Sequence, residues 1–387
     1  MRRNNCYSLQ NLAGVFYLLP YGQTQADLHH GIRLNETGVF LWELLAEDRS
    51  REELFAACAE HYRASEEELP LLQKDIAEFL QNLSDRSLLS ESSKLPEPAS
   101  SEEMNLTIAG WNLCLRGPLD AFSEKFDLFR TGRHETIHQN ISLLPGTPRH
   151  HLNGKLLIRN ENLVVLEAED RYIFLFPRFS RIEEAHLSRD GSQAVFHYRP
   201  PCSDSLREDL FHGIRLLFLC FIRQHGMAVL HSSSILYRNR AWLFSGPSGT
   251  GKSTHTGIWN RLYDTPVLNG DLNLLAMDNG VPVIHGLPWC GTSGICSRDT
   301  YPLGGIILLK QAPFDRIEEL SPDEKLLLVQ QSLITPSWTE TMLAQNLRIV
   351  EGLLPDILVC RLYCTKKDTA AAVMRERIDF FLSASSR

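Results

Sequence analysis

The stretch Ala241-Trp-Leu-Phe-Ser-Gly246-Pro247-Ser248-Gly249-Thr250-Gly251-Lys252-Ser253-Thr254 carries an apolar run into a glycine-punctuated loop that ends on a lysine and two hydroxyls. Such a loop suits a polyphosphate. Wrapping one takes consecutive backbone N–H groups, so glycine is needed where a Cβ would hold the chain off, and the next helix must present its positive N-terminal end. In this reading Gly246 to Thr254 bind nucleotide, Lys252 reaches the β- and γ-phosphates, and the Ser253 hydroxyl ligates Mg²⁺. A fortuitous glycine-rich turn would need no particular flanks. Here a strand-like run precedes the loop and the helix-compatible Thr254-His-Thr-Gly-Ile-Trp259 follows it. The expected ligands are ATP and Mg²⁺.

A chain of 387 residues exceeds what one hydrophobic core usually holds, so two or three domains are expected. The residues are 43% apolar and 22% charged, as in an ordinary soluble protein, and the net charge of −8 argues against a nucleic-acid partner. Nine cysteines are scattered without a C-x-x-C pair, which signals neither a zinc module nor a disulfide framework. Met-Arg-Arg-Asn-Asn is followed by no apolar core of signal-peptide length. The most apolar run, Leu216 to Ile222, lies between Arg215 and Arg223 and is too short to span a bilayer. These features predict a cytoplasmic protein without a membrane partner.

The clearest linker is 91–103, where ten of thirteen residues are Ser, Pro or Glu. Residues 1–90 before it read as a short β region and three helices. Val15 to Pro20 and His29 to Leu34 are strand-like, Asn35 is placed to cap a first helix, and Ser50-x-x-Glu53 and Ser65-x-x-Glu68 are capping boxes for two more. In the third helix Leu69, Leu72, Ile76, Phe79, Leu80 and Leu83 share one face. Residues 104–224 show short alternating runs, with Asp190-Gly191 as a turn, and end in a helix over 205–224. His134, His138, His150 and His151 in this segment lack the carboxylate-supported spacing of a metal site, and His150-His151 reads as a solvated loop. Residues 225–387 hold the phosphate loop and close with a strand and a helix.

Leu34-Asn-Glu-Thr-Gly38, Asp48-Arg-Ser-x-Glu-Glu-Leu54 and the third helix ending at Ser87-Leu-Leu89 give the first ninety residues a resemblance to the PqqD family. That resemblance implies a winged-helix-like domain that captures the leader of a ribosomally made precursor as an added β-strand, against the sheet edge and the third helix. Main-chain hydrogen bonds would supply affinity and pockets for alternate side chains selectivity. An assembly domain of the same fold without a peptide ligand is the other reading.

In the last part, His231-x-Ser-x-Ile on one strand, the phosphate loop after the next, and Leu268-Asn-Gly-Asp271-Leu downstream resemble the HPr kinase family and its phosphoenolpyruvate carboxykinase relatives. The resemblance spans about 225–387 and implies a P-loop domain built on a mixed sheet. The fold class expected for the chain is therefore α/β and α+β, multidomain. The resemblance implies that Lys252 stabilises the transferring phosphoryl group, that Ser253 and Asp271 hold Mg²⁺, and that His231 serves the metal or the proton. Gly270 departs from the family pattern, which usually has a second aspartate there as general base. Either Asp271 does double duty or the proton goes elsewhere, with His231 the next candidate; as a plain core histidine it would do neither. His285-Gly-Leu-Pro-Trp-Cys-Gly291-Thr-Ser-Gly294 reads as a cleft-lining loop, with Trp289 a substrate platform and Cys290 a bystander. Arg298 and Lys310 are the nearest later cations for phosphate contacts, and either reads equally well as a surface charge.

Together these features predict an ATP-dependent kinase acting on a hydroxyl of a precursor peptide delivered by the first domain. A small-molecule kinase with a reduced first domain, and a nucleotide-gated peptide-binding chaperone without chemistry, are the alternatives; the latter is motivated by Gly270. Oligomeric state is open, although the resembled families often assemble into homo-oligomers.

Overall fold

The computed structural model describes residues 1–3, 7–20, 31–47, 49–85, 88–90, 102–146 and 154–385. The linker over 91–101, His29, Asp48, Ser87, His150 and His151 lie outside them. The chain divides into two compact units, one within Met1–Pro96 and the other within Glu97–Thr147 and Lys155–Arg387. No helix among the described residues is long and apolar enough to cross a membrane.

In the first unit β1 (Arg2–Arg3) pairs with β5 (Leu89–Ser90), while β2 (Tyr7–Leu12), β3 (Val15–Pro20) and β4 (Ile32–Leu34) form an antiparallel sheet in that order. Ala13 and Gly14, both at positive φ, make the two-residue turn that a twisted hairpin prefers. Three helices follow, α1 (Glu36–Leu44), α2 (Arg51–Tyr62) and α3 (Leu69–Asp85). Asn35 caps the first through Gly38 N at 2.8 Å. Ser50 and Glu53 form a complete capping box on the second, at 3.1 and 2.8 Å. Ile76, Leu80 and Leu83 of α3 bury against Leu18, Leu41, Trp42 and Leu54, so the helical periodicity read from the sequence is the core-facing stripe.

The second unit holds two eight-stranded sheets. The first runs β6 (Glu103–Ile108), β7 (Trp111–Arg116), β8 (Gln139–Pro145), β13 (Gln193–Tyr198), β12 (Ile182–Ser188), β11 (Arg171–Leu175), β10 (Val164–Glu167) and β9 (Lys155–Arg159). Its pairings are antiparallel except β7–β8 and β8–β13. The long helix α4 (Asp204–Gln224) follows, capped by Ser203. The domain boundary expected at 224/225 falls inside this unit. Leu206, Leu210, Leu217 and Phe218 of α4 are buried in one core with Leu106 and Phe196 of the first sheet's segment and Leu272, Leu274 and Trp289 of the later one. A helix apolar around so much of its circumference needs cover on both sides.

The second sheet contains β14 (Ala228–Tyr237), β15 (Arg240–Ser245), β16 (Val267–Asn269), β17 (Leu272–Asp278), β18 (Val281–His285), β19 (Thr300–Gln311), β20 (Arg316–Glu319) and β21 (Leu358–Cys364). Each of the long strands β14 and β19 changes partner along its length. β14 passes from β17 to β15, and β19 from β18 to β15, so the pairing β15–β14–β17–β18–β19–β15 closes on itself. β15, β19 and β21 are parallel neighbours, and the sheet is mixed. One face is covered by α5 (Lys252–Tyr263) and α8 (Asp368–Ser385), through Trp259, Met374 and Ile378. The other lies under α6 (Pro322–Gln331) and α7 (Glu340–Leu353), through Val329, Val350 and Leu353.

Candidate functional site

The loop 246–251 leaves the end of β15, beside its parallel neighbour β19, and runs straight into α5. The carboxyl edge of parallel strands is where such folds place ligands. Gly246 sits so close to β19 that a Cβ there would meet Leu309 O at 3.1 Å and Thr250 Oγ1 at 2.9 Å. Gly251 is the residue before α5, at φ +101°, and offers no side-chain cap. The first-turn N–H groups of α5 thus have no side-chain cap, unlike those of α6 and α7, which Ser321 and Thr339 cap. Gln311 Nε2 donates to Gly249 O at 2.9 Å and Thr250 Oγ1 to Pro247 O at 2.7 Å, pinning the loop.

Lys252 is buried and folds back over the loop mouth, donating to Gly246 O at 3.0 Å and Pro247 O at 3.4 Å. Burial pulls its ammonium below the usual lysine range, and the charge of Asp271 opposes that. Asp271 lies in the break between β16 and β17. A polar network holds the break open. Ser233 Oγ donates to Gly270 O, Ser234 Oγ to Asn273 Oδ1, and Asn269 Nδ2 to Leu287 O. His231 Nε2 stands 3.1 Å from Asp271 Oδ1, and the His231 carbonyl accepts from Ser245 Oγ. The His231 hydrogen bond holds the Asp271 carboxyl below the usual aspartate range; burial opposes this, and the positive fields of Lys252 and Arg215 add to it.

The 290–294 turn packs against this break. A Cβ on Gly270 would stand 1.9 Å from Ser293 Oγ, and one on Gly291 would meet Asp271 Cβ at 2.9 Å. Position 270 has no room for the aspartate of the family pattern, because the turn fills that space.

A cleft of about 310 Å³ brings together His231, Ser248, Gly249, Gly251, Lys252, Ser253, Thr254, Gly270 and Asp271, with Thr292, Ser293 and Lys366. The last three were not singled out from the sequence; Thr292 and Ser293 sit in the glycine-rich loop whose spacing marked it as cleft-lining. Arg215, from α4, is a fourth missed residue that acts on Asp271 through its charge. A second cavity, about 690 Å³, adjoins the loop from Gly246 to Thr250 and shares His231, Ser248 and Gly249 with the cleft.

Two expectations need correction. Trp289 is no substrate platform: it is 2% exposed, donates to Phe211 O at 2.9 Å and packs on Phe218 and Phe126. A tryptophan buries a large apolar area once its N–H has a partner, and α4 supplies both. Trp289→Ala should therefore destabilise the protein by about 3–5 kcal/mol, as urea unfolding would measure. Arg298 is exposed and lines neither cavity, whereas Lys310 lines the larger one. His134 Nε2 lies 2.7 Å from Thr131 Oγ1, and His138 Nδ1 accepts from Asn112 N at 2.9 Å.

The geometry defines a mixed α/β protein with an uncapped helix start, a lysine, and a histidine–carboxylate pair facing one cleft. Residues 21–89 match the family model described as coenzyme PQQ synthesis protein D (PqqD), so the chain carries a PqqD domain there. No curated protein matches the chain. Among solved structures it is similar to the Hpr(Ser) kinase/phosphatase from Coxiella burnetii, at 10% identity, over 41% of this chain and 98% of that one, with a TM-score of 0.23.

Proposed function

We propose that the chain is an ATP-dependent kinase that phosphorylates a hydroxyl on a peptide presented by the PqqD domain. The observation that carries this reading is the single cleft holding the uncapped start of α5, Lys252, Ser253 and the His231–Asp271 pair. Gly251 and the loop amides suit phosphate oxygens, and Lys252 can exchange its loop carbonyls for the β- and γ-phosphates. Ser253 and Asp271 would hold Mg²⁺. Among the described residues no group of three His, Cys, Asp or Glu could cage a metal, and a nucleotide-borne Mg²⁺ needs only one or two protein ligands. When bound, Mg²⁺ neutralises charge on the β- and γ-oxygens.

With Nε2 bonded to Asp271 Oδ1, the imidazole of His231 keeps Nδ1 for an acceptor proton, an arrangement in which the carboxylate fixes the tautomer. The acceptor hydroxyl gives its proton to Nδ1 while its oxygen bonds the γ-phosphorus. The bond to the β–γ bridging oxygen breaks, and ADP leaves with that electron pair. Asp271 stays ionised throughout and balances the imidazolium, which offsets the absence of a second carboxylate at Gly270.

The PqqD match supports a peptide partner, and β2 and β4 are the two edges of the three-stranded sheet of the first unit, where a strand could add. Removing residues 1–95 should then raise the KM for the full precursor by about tenfold or more while leaving ATP affinity unchanged, because effective concentration is lost and the cleft is untouched. Equal kinetics of truncated and intact protein on every peptide would favour a small-molecule acceptor.

A further inference from the structure

Resting on the phosphotransfer reading, we infer that the cavity of about 690 Å³ is the acceptor pocket, and that it takes a hydroxyl-bearing group with an apolar stem and a nearby anion. The cleft holds Gly251 to Thr254, the segment that must face the phosphates. The cavity touches none of these residues, yet meets the cleft at His231, Ser248 and Gly249, and His231 is the group placed to receive a proton. An acceptor must reach that junction, whereas a nucleoside sits one phosphate chain away from it. Thr254 and Lys366 line the cleft and not the cavity, leaving that side for the nucleoside.

The lining states the chemistry. Leu328, Leu333 and Ile334 form a partly exposed apolar wall that favours a stem of carbon. The charged side chains apart from His231 are both cations, Lys310 and Arg361, and no carboxylate lines the cavity among the described residues. Glu318 pairs with Arg361 and fixes its orientation. Lys310 Nζ lies 5.1 Å from the centre of the Tyr363 ring and pairs with no carboxylate among the described residues. A cavity so charged favours an anion and rejects a cationic group.

The test uses the full chain with γ-labelled ATP and two matched pairs of probes. The short peptides Leu-Ser-Glu and Leu-Ser-Gln represent a polypeptide acceptor, and glycerate and glycerol a small one. ATP affinity is measured alongside. The anionic member of one pair should be labelled with a kcat/KM about tenfold higher than its neutral partner, and which pair responds identifies the source. Lys310→Glu should abolish that preference with ATP affinity changed less than about twofold. Equal labelling within both pairs would overturn the proposal, as would ATP bound normally with no probe labelled. So would a Lys310→Glu protein whose ATP affinity falls as far as its transfer rate, since the cavity would then hold the nucleoside. Failure of the unaltered protein to bind ATP would remove the kinase reading itself, and this proposal with it.

Discussion

Lys252→Ala should lower phosphoryl transfer by about 10²–10³-fold while thermal unfolding moves by no more than a few degrees. The lysine donates to the Gly246 and Pro247 carbonyls at the loop mouth, and its role is to meet charge that develops on the transferring group. It is not a member of the apolar clusters that pack beneath the loop. Its burial also means that the ammonium is partly desolvated before a phosphate arrives, so less hydration is given up on binding. Single-turnover rates with saturating ATP would separate this loss from weaker binding. Near-normal turnover by the variant would remove the kinase assignment.

The second large effect concerns the histidine–carboxylate pair. Asp271→Asn should weaken Mg²⁺-dependent ATP binding and turnover together, because the same carboxylate faces the metal position and His231. His231→Ala should lower turnover by about 10²–10⁴-fold, the usual worth of a positioned base, with metal affinity little changed. If His231→Ala weakens Mg²⁺ as much as Asp271→Asn does, the imidazole is a metal ligand and the proton route is wrong. The pair also sets a pH dependence. The Asp271 carboxyl is lowered in the folded protein, chiefly by the His231 hydrogen bond, so its stabilising contribution is present above the ordinary aspartate value. That contribution is lost as pH falls through the lowered folded value. Acid unfolding of Asp271→Asn, followed by circular dichroism, should lack this component.

Local signals account for what the sequence made legible. Ser50-x-x-Glu53 and the 3.6-residue stripe of α3 act within a few residues, and both stand in the structure as read. The hairpin that feeds the loop is equally local, with Arg238 and Asn239 at positive φ between β14 and β15. Long-range pairing was not legible. Nothing near β15 indicates that its parallel neighbour is β19, some sixty residues on, or that β14 must change partner to leave Asp271 in a gap. Trp289 misled because glycine and proline near it gave the appearance of an exposed loop, while its hydrogen-bond partner on α4, Phe211, lies 78 residues upstream. Gly270 read as a lost catalytic group; the steric reason, the seat of Ser293, exists only in three dimensions. β2 was missed because Tyr7-Ser-Leu-Gln-Asn-Leu12 is too polar to signal a strand without the hairpin partner that orders it.

The most direct measurement of the central claim is transfer of label from γ-labelled ATP, with Mg²⁺, to a hydroxyl of a precursor peptide by the full chain. The account predicts labelled peptide and ADP in equal amounts, both formed about 10²–10³-fold more slowly by Lys252→Ala. Tight binding of ATP by the unaltered protein with no label on any hydroxyl acceptor would contradict it.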